Sequence, residues 1–165
     1  MNNEQSTKEK YNLRAVIQRV LNASVSVNNV VTGKINSGLL VYLGVGHDDS
    51  DADAIWLAEK IAFLRIFNDN EGKMNLSLRD LADLGLNAGV LVVSQFTLFA
   101  DARKGRRPSW NGAALPEKAN KLYEYFINEI KKHNLDCQSG VFQAHMNVEY
   151  INDGPVTITL DTKEN

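Results

Sequence analysis

Two short segments carry residue types that a plain core strand or turn does not need. Ser94-Gln95-Phe96-Thr97-Leu98 sets three polar side chains at the end of an apolar run, residues 90–93. Two hydroxyls and an amide can bond substrate oxygens without ionising, and burying them without partners is costly. A strand ending in a loop also frees backbone N–H groups. Such donors stabilise the oxyanion of an acyl-transfer transition state by roughly 3–4 kcal/mol each. The second segment, Asn152-Asp153-Gly154-Pro155-Val156-Thr157, puts a Gly-Pro bond just before another strand. By composition it reads as a turn. Glycine also permits close approach, and proline fixes φ and removes a donor. Carbonyls on such a unit can face a ligand as a fixed wall. The chemistry that fits both segments is attack on an acyl ester.

Thr97 could serve as a nucleophile only with an activating base. His47, His133 and His145 sit in unrelated segments, and no lysine is close to Thr97 in sequence. A positioned water is therefore favoured over a covalent intermediate. The competing reading is an edge segment whose hydroxyls bond neighbouring strands.

The elements that must position these groups are legible from patterning. Residues 13–20 and 23–27 read as strands, Asn28-Asn29 as a turn, and residues 30–35 as a returning strand. Residues 39–46 form a continuous apolar run, expected of a strand covered on both faces. Ser50 or Asp51 caps a helix on which Ala54, Leu57, Ala58, Ile61 and Leu64 share a face. Residues 65–67 leave it for a strand, and residues 74–86 hold a short strand and a turn of helix. Residues 90–93 form a second buried strand that delivers Ser94. Residues 101–115 lack periodicity and read as loop. Pro116 suits a first helical turn, and Ala119, Leu122, Tyr123, Phe126 and Ile130 then make an apolar stripe. Strands at residues 147–151 and 156–160 close the chain. The class expected is mixed α/β in a single domain, residues 13–165, with helices on one side of the β-sheets. Residues 1–12 are polar and read as a loose extension.

Composition narrows the function. The chain has 165 residues, 44% of them hydrophobic, enough for a core without staples. Its net charge of −2 gives no general pull toward nucleic acid, so an RNA partner needs a local basic patch. Arg103, Lys104, Arg106 and Arg107 place four cations within five residues, either as tRNA phosphate contacts or as a solvated loop. Cys137 is the single cysteine, which fits a reducing compartment, and no apolar run approaches a membrane span; the cytosol is the expected location. His47-Asp48-Asp49 with Asp51 and Asp53 reads as an acidic helix start rather than a metal site. Nothing matches zinc spacing or a phosphate-binding glycine loop, so no cofactor or metal is expected.

AVIQRV (15–20), GLLVYLGV (38–45), RIFND with EGKMNLSL (65–78), VLVVSQFTLFAD (90–101), GRRPSW (105–110) and NDGPVT (152–157) resemble the D-aminoacyl-tRNA deacylases, first described as D-tyrosyl-tRNA deacylases. The likeness runs in order from Leu13 almost to the C-terminus. It implies an α/β/β-layered homodimer that cleaves the ester between a D-amino acid and the terminal adenosine of tRNA, with the active site at the subunit interface. It further implies that Gly154-Pro155 is a cis motif reaching into the partner's pocket and that Arg19 holds that motif. Ser94, Gln95, Phe96 and Thr97 would line the reacting end, while Phe142 and Met146 shape the pocket. The ribose 2′-OH would assist the water, in keeping with the missing base. Glycine has no side chain to clash with the wall, so glycyl-tRNA is expected as a further substrate.

Three departures stand out. Residues 1–12 precede the family's usual start, Trp110 replaces a common Phe, and Gln143 follows Phe142 where a small residue is common, which bears on the pocket entrance. Two rivals remain. One is a related deacylase that removes L-alanine from mischarged tRNA and carries a trans Gly-Pro unit; Arg19 favours the D-selective form over it. The other is a non-catalytic RNA-binding module, against which the intact SQFTL stands.

Overall fold

In a computed structural model of the chain, residues 12–163 are described. The expected N-terminal extension falls almost wholly on residues 1–11, outside the described residues; Asn12, counted with it, is buried. The elements run β1 (Arg14–Val27), β2 (Val30–Ile35), β3 (Gly38–Gly44), α1 (Asp51–Phe63), β4 (Phe67–Asn68), β5 (Met74–Leu76), α2 (Leu78–Asp83), β6 (Gly89–Ser94), a 3-10 turn (Phe96–Phe99), α3 (Pro116–Lys132), β7 (Asp136–Ser139) and β8 (Asn147–Asp161). Six strands form one sheet in the order β2-β1-β3-β6-β7, with β8 on β1; β4 and β5 make a separate pair. β3, β6 and β7 run parallel, and β1 is antiparallel to its neighbours β2, β3 and β8.

The continuous apolar run of β3 has the reason expected of it. Leu39, Val41 and Leu43 point into the core beneath the helices, and Leu40 points into a second cluster on the opposite face. β6 divides the same way, with Val90 and Val92 against Leu91 and Val93. α1 and α3 pack on one face through Leu57, Ile61, Leu122, Phe126 and Ile130. Burying a side chain such as Phe126 contributes about 2–3 kcal/mol. The sheet curls until β2 meets the end of β7, so closely that a Cβ on Gly33 would lie 2.6 Å from Ser139 O. The two halves of the sheet thus enclose the second cluster, giving the α/β/β layering.

Residues 13–27 were expected as two strands and form one. Between the pairs Val20↔Asn152 and Ala23↔Tyr150 the ladder advances three positions along β1 and two along β8. That one extra residue moves odd-numbered side chains from one face to the other. Ala15 and Ile17 consequently join the helix-side core, whereas Ala23 and Val25 join the enclosed cluster.

Ser50, not Asp51, is the cap of α1, and the Asp53 carboxylate accepts from the Ser50 N–H at 2.9 Å. β7 was not anticipated, because its four residues DCQS carry little strand character and take it from pairing with β6. The two closing strands are one long β8 interrupted by an excursion. Gln18 pairs with Thr157 and Val20 with Asn152, so two positions on β1 correspond to five on β8. Residues 153–156 stand out of the ladder.

Candidate active site

A cleft of about 610 Å³ opens at the carboxyl ends of β3 and β6, where parallel sheets commonly present ligand sites. Its base is Leu43, Val93 and Ser94; its walls include Gln95, Phe96, Trp110, Tyr123, Phe142 and Met146. Five residues picked out from sequence, Ser94, Gln95, Phe96, Phe142 and Met146, are thereby brought together. The walls are largely apolar, and the polar side chains among them are Ser94, Gln95, Gln143 and His145.

The Ser94–Gln95 end is held by its own hydrogen bonds. Gln95 Nε2 donates to Thr97 Oγ1. The Gln95 N–H is engaged by Leu43 O at 2.8 Å, and Leu98 N–H by Gln95 O at 3.2 Å. Of the backbone donors that the end of the strand was expected to free, Gln95 N–H is therefore engaged within the fold. Phe96 and Thr97 open the 3-10 turn, where N–H groups have no acceptor within the helix. Arg14, which sequence patterning passed over, braces the far end of that turn. Its Nη1 donates to Leu98 O at 3.1 Å, its Nε pairs with Asp161 at 3.1 Å, and its guanidinium lies over the Phe99 ring.

His145 lines the same cleft, although its segment is remote from Thr97 in sequence. Among the described residues no hydrogen bond joins it to Thr97, whose hydroxyl is bonded to Gln95. Trp110 meets Phe96 edge-on at 5.4 Å between ring centroids, and Phe142 rests on Tyr123 at 5.9 Å. Burial pushes the Tyr123 phenol up to about 12, and its hydroxyl donates to Val92 O, so it serves the wall rather than proton transfer. Gln143 takes a left-handed conformation with φ 63° at the cleft mouth.

The second segment lies elsewhere. Gly154 and Pro155 are exposed at the tip of the β8 excursion and line no part of the cleft. Their peptide bond is cis. Arg19 is buried beneath them: Nη1 donates to Ile66 O at 2.7 Å, and Nε lies 3.1 Å from Asp153 Oδ2 as an ion pair without hydrogen-bond alignment. Asn152, which sequence reading treated only as a turn former, bonds Arg19 O and Val156 O. One chain thus carries both predicted halves of the site but keeps them apart.

The basic segment stands on a loop closed by the bridge between Asp101 and Ser109, next to Trp110. Arg103 forks onto the Asp101 carboxylate at 2.9 and 2.7 Å, and these bonds hold that carboxyl well below its ordinary range. Lys104, Arg106 and Arg107 are exposed. The acidic segment after β3 supplies the helix cap and a loop anchor, and no group of three or more metal-ligating side chains occurs among the described residues. No helix among them is long and apolar enough to cross a membrane.

The chain as a whole, rather than the cleft alone, is what the comparisons with known proteins match. The family model described as D-Tyr-tRNA(Tyr) deacylase matches residues 16–161. The D-aminoacyl-tRNA deacylase of Koribacter versatilis is 56% identical over 152 residues, 92% of this chain and 99% of its own. That of Thermosipho africanus is 57% identical with the same coverage. Among solved structures, a c-Myc DNA unwinding element binding protein aligns with a TM-score of 0.80 and 36% identity over 89% of this chain and 97% of its own. A probable eukaryotic D-amino acid tRNA deacylase shares the fold, with a TM-score of 0.77 at 18% identity over 91% of this chain and 99% of its own. The chain belongs to the D-Tyr-tRNA(Tyr) deacylase family.

Proposed function

We propose that this chain proofreads translation by hydrolysing the ester between a D-amino acid and the terminal adenosine of tRNA, at a site that two copies build together. The activity rests on the family and on relatives named for it. The two-copy site rests on one observation above others. Gly154 and Pro155 stand exposed and outside the cleft that holds Ser94, Gln95 and Phe96. β8 supports the same reading. It is a 15-residue strand at a sheet edge, none of its residues is buried within one chain, and it leaves the large apolar side chains of Tyr150 and Ile151 exposed. A second copy against β8 covers these side chains and brings each loop 153–156 to the other's cleft, as a twofold pair does reciprocally.

In the assembled site the ester carbonyl sits against the N–H groups of Phe96 and Thr97, which stabilise its oxyanion. Water attacks, assisted by the ribose 2′-OH of the substrate. Ser94 and the Gln95–Thr97 pair orient the ester, and Phe142 and Met146 bound the amino-acid side. The carbonyls of the partner's Gly154 and Pro155 fill the space that an L side chain requires. Glycine has nothing to place there, so glycyl-tRNA is cleaved as well. Arg103, Lys104, Arg106 and Arg107 meet phosphates near the acceptor end. The work is placed in the cytoplasm, where charged tRNA is used.

Deacylation of D-tyrosyl-tRNA against L-tyrosyl-tRNA is the test. Cleavage of the D ester alone is expected, and equal rates on both remove the chiral wall.

A further inference from the structure

We infer that Asn152 is the positioning residue that sets the stance of the Gly154-Pro155 loop, and through it the discrimination between D and L esters. The inference rests on the chiral-wall reading above and adds a residue to it. Loop 153–156 leaves the β1–β8 ladder between the pairs Gln18↔Thr157 and Val20↔Asn152. Within that gap the backbone has lost its regular partners, and the Asn152 side chain replaces them. Its Nδ2 donates to Arg19 O at 3.0 Å and to Val156 O at 3.1 Å. One amide therefore ties the facing strand to the returning foot of the loop, while its own main chain is the departing foot. Its Oδ1 accepts from Thr157 Oγ1 at 3.4 Å, and that hydroxyl accepts from Gln18 Nε2 at 3.2 Å. Both donors and the acceptor of the amide are engaged.

Few side chains can do this. The site asks for two donors and one acceptor on a short stem, which among the common side chains is an asparagine amide. Aspartate has the shape but faces two carbonyl oxygens with a carboxylate. Alanine leaves Arg19 O and Val156 O without this partner. Asn152 does not line the cleft, and its side-chain hydrogen bonds run to Arg19, Val156 and Thr157, so it acts through the loop. A backbone wall rejects an enantiomer only when held to within about 0.5 Å, and loosening one foot of a four-residue excursion removes a restraint that holds its tip there. The expected consequence is entry of L substrates with little loss of ester cleavage.

The experiment measures kcat/KM for D-tyrosyl-tRNA and L-tyrosyl-tRNA with wild type, Asn152→Asp and Asn152→Ala. The ratio of the two rates does not depend on the folded fraction of a preparation, so partial unfolding leaves it unmoved. The expected result is D-ester cleavage within about fivefold of wild type and L-ester cleavage raised about tenfold or more in both variants. A ratio equal to that of wild type overturns the inference, whether the two rates are unchanged or fall in parallel. So does a ratio lowered only by loss of D-ester cleavage. A wild type that cleaves both esters equally instead overturns the chiral-wall reading, and it is seen before any variant is compared.

Discussion

Arg19 Nε lies 3.1 Å from Asp153 Oδ2, an ion pair that joins a buried position on β1 to the exposed loop of β8. The arginine is 7% exposed, whereas Asp153 keeps 40% of its side chain in solvent. Anchorage therefore comes from the arginine side. Its Nη1 bond to Ile66 O at 2.7 Å fixes the guanidinium, and the guanidinium fixes the loop.

Arg19→Ala is expected to lower stability by about 2 kcal/mol, because it leaves the Ile66 carbonyl without its charged donor. Little of that loss comes from Asp153, which water can solvate. Selectivity between D- and L-tyrosyl-tRNA should fall at the same time. Arg19→Lys keeps the charge but cannot span Ile66, Asn68 and Asp153 together, so it should fall between wild type and alanine in both respects. Urea denaturation and the two deacylation rates check this.

Phe96→Pro removes one backbone donor at the start of the 3-10 turn, a position where proline fits the helical φ. The expected effect is a fall in kcat of about 10²–10³. Phe96→Ala keeps the N–H and removes the ring that meets Trp110, so it isolates the packing contribution. Equal activity in the two variants contradicts an oxyanion role for this N–H.

Thr97→Ala should retain D-tyrosyl-tRNA cleavage within about tenfold of wild type, since the water and not Thr97 attacks. What is lost is the hydroxyl that holds the Gln95 amide. A loss of about 10⁴ or more in single-turnover assays would identify Thr97 as the nucleophile.

Asp49 is buried in the loop between β3 and α1. Its carboxylate accepts from Gly46 N–H at 2.5 Å and lies 3.5 Å from Lys163 Nζ. Burial raises its pKa from 3.8 to about 6, against the lowering effects of Gly46 and Lys163. The folded state therefore holds this proton more tightly than the unfolded chain. The resulting stabilisation is complete below the unfolded value and is lost as pH rises through about 6. Asn at this position does not titrate. Wild type should thus lose stability relative to Asp49→Asn between about pH 4 and about pH 7, measured as the difference in urea midpoints. A difference that is flat across this range contradicts the burial effect.

Much of the frame is legible in the sequence alone. The apolar run of β3 and the stripe on α3 could only be a doubly covered strand and an amphipathic helix, and both are. Ser94 and Gln95 stood out because polar groups followed a buried strand. Other features depend on partners remote in sequence. β7 exists because β6 offers it an edge. The face change in β1 comes from one extra residue in a ladder, which alternation alone cannot locate. Arg14 shares its strand with ordinary residues, and nothing local marks its bond to Leu98 O across 84 positions. Asn152 looked like a turn former because the amide that favours turns is the same amide that clamps the loop. The separation of Gly154-Pro155 from the cleft is likewise a matter of distance, which residue types do not encode.

Mixing two defective copies tests the shared site most directly. A Cβ on Gly154 would lie 2.9 Å from Val156 Cγ2 and 3.1 Å from Arg19 Nη2, at a φ of 121° that L residues rarely adopt, so Gly154→Ala displaces the loop and should admit L-tyrosyl-tRNA. Phe96→Pro lacks a working reacting end but keeps a native loop. With the Phe96→Pro copy in excess under subunit exchange, each Gly154→Ala copy pairs with a native loop, and its cleavage should return to D-tyrosyl-tRNA alone. Cleavage of L-tyrosyl-tRNA that persists undiminished in the mixture would mean that the loop serves its own chain, and would contradict the shared site.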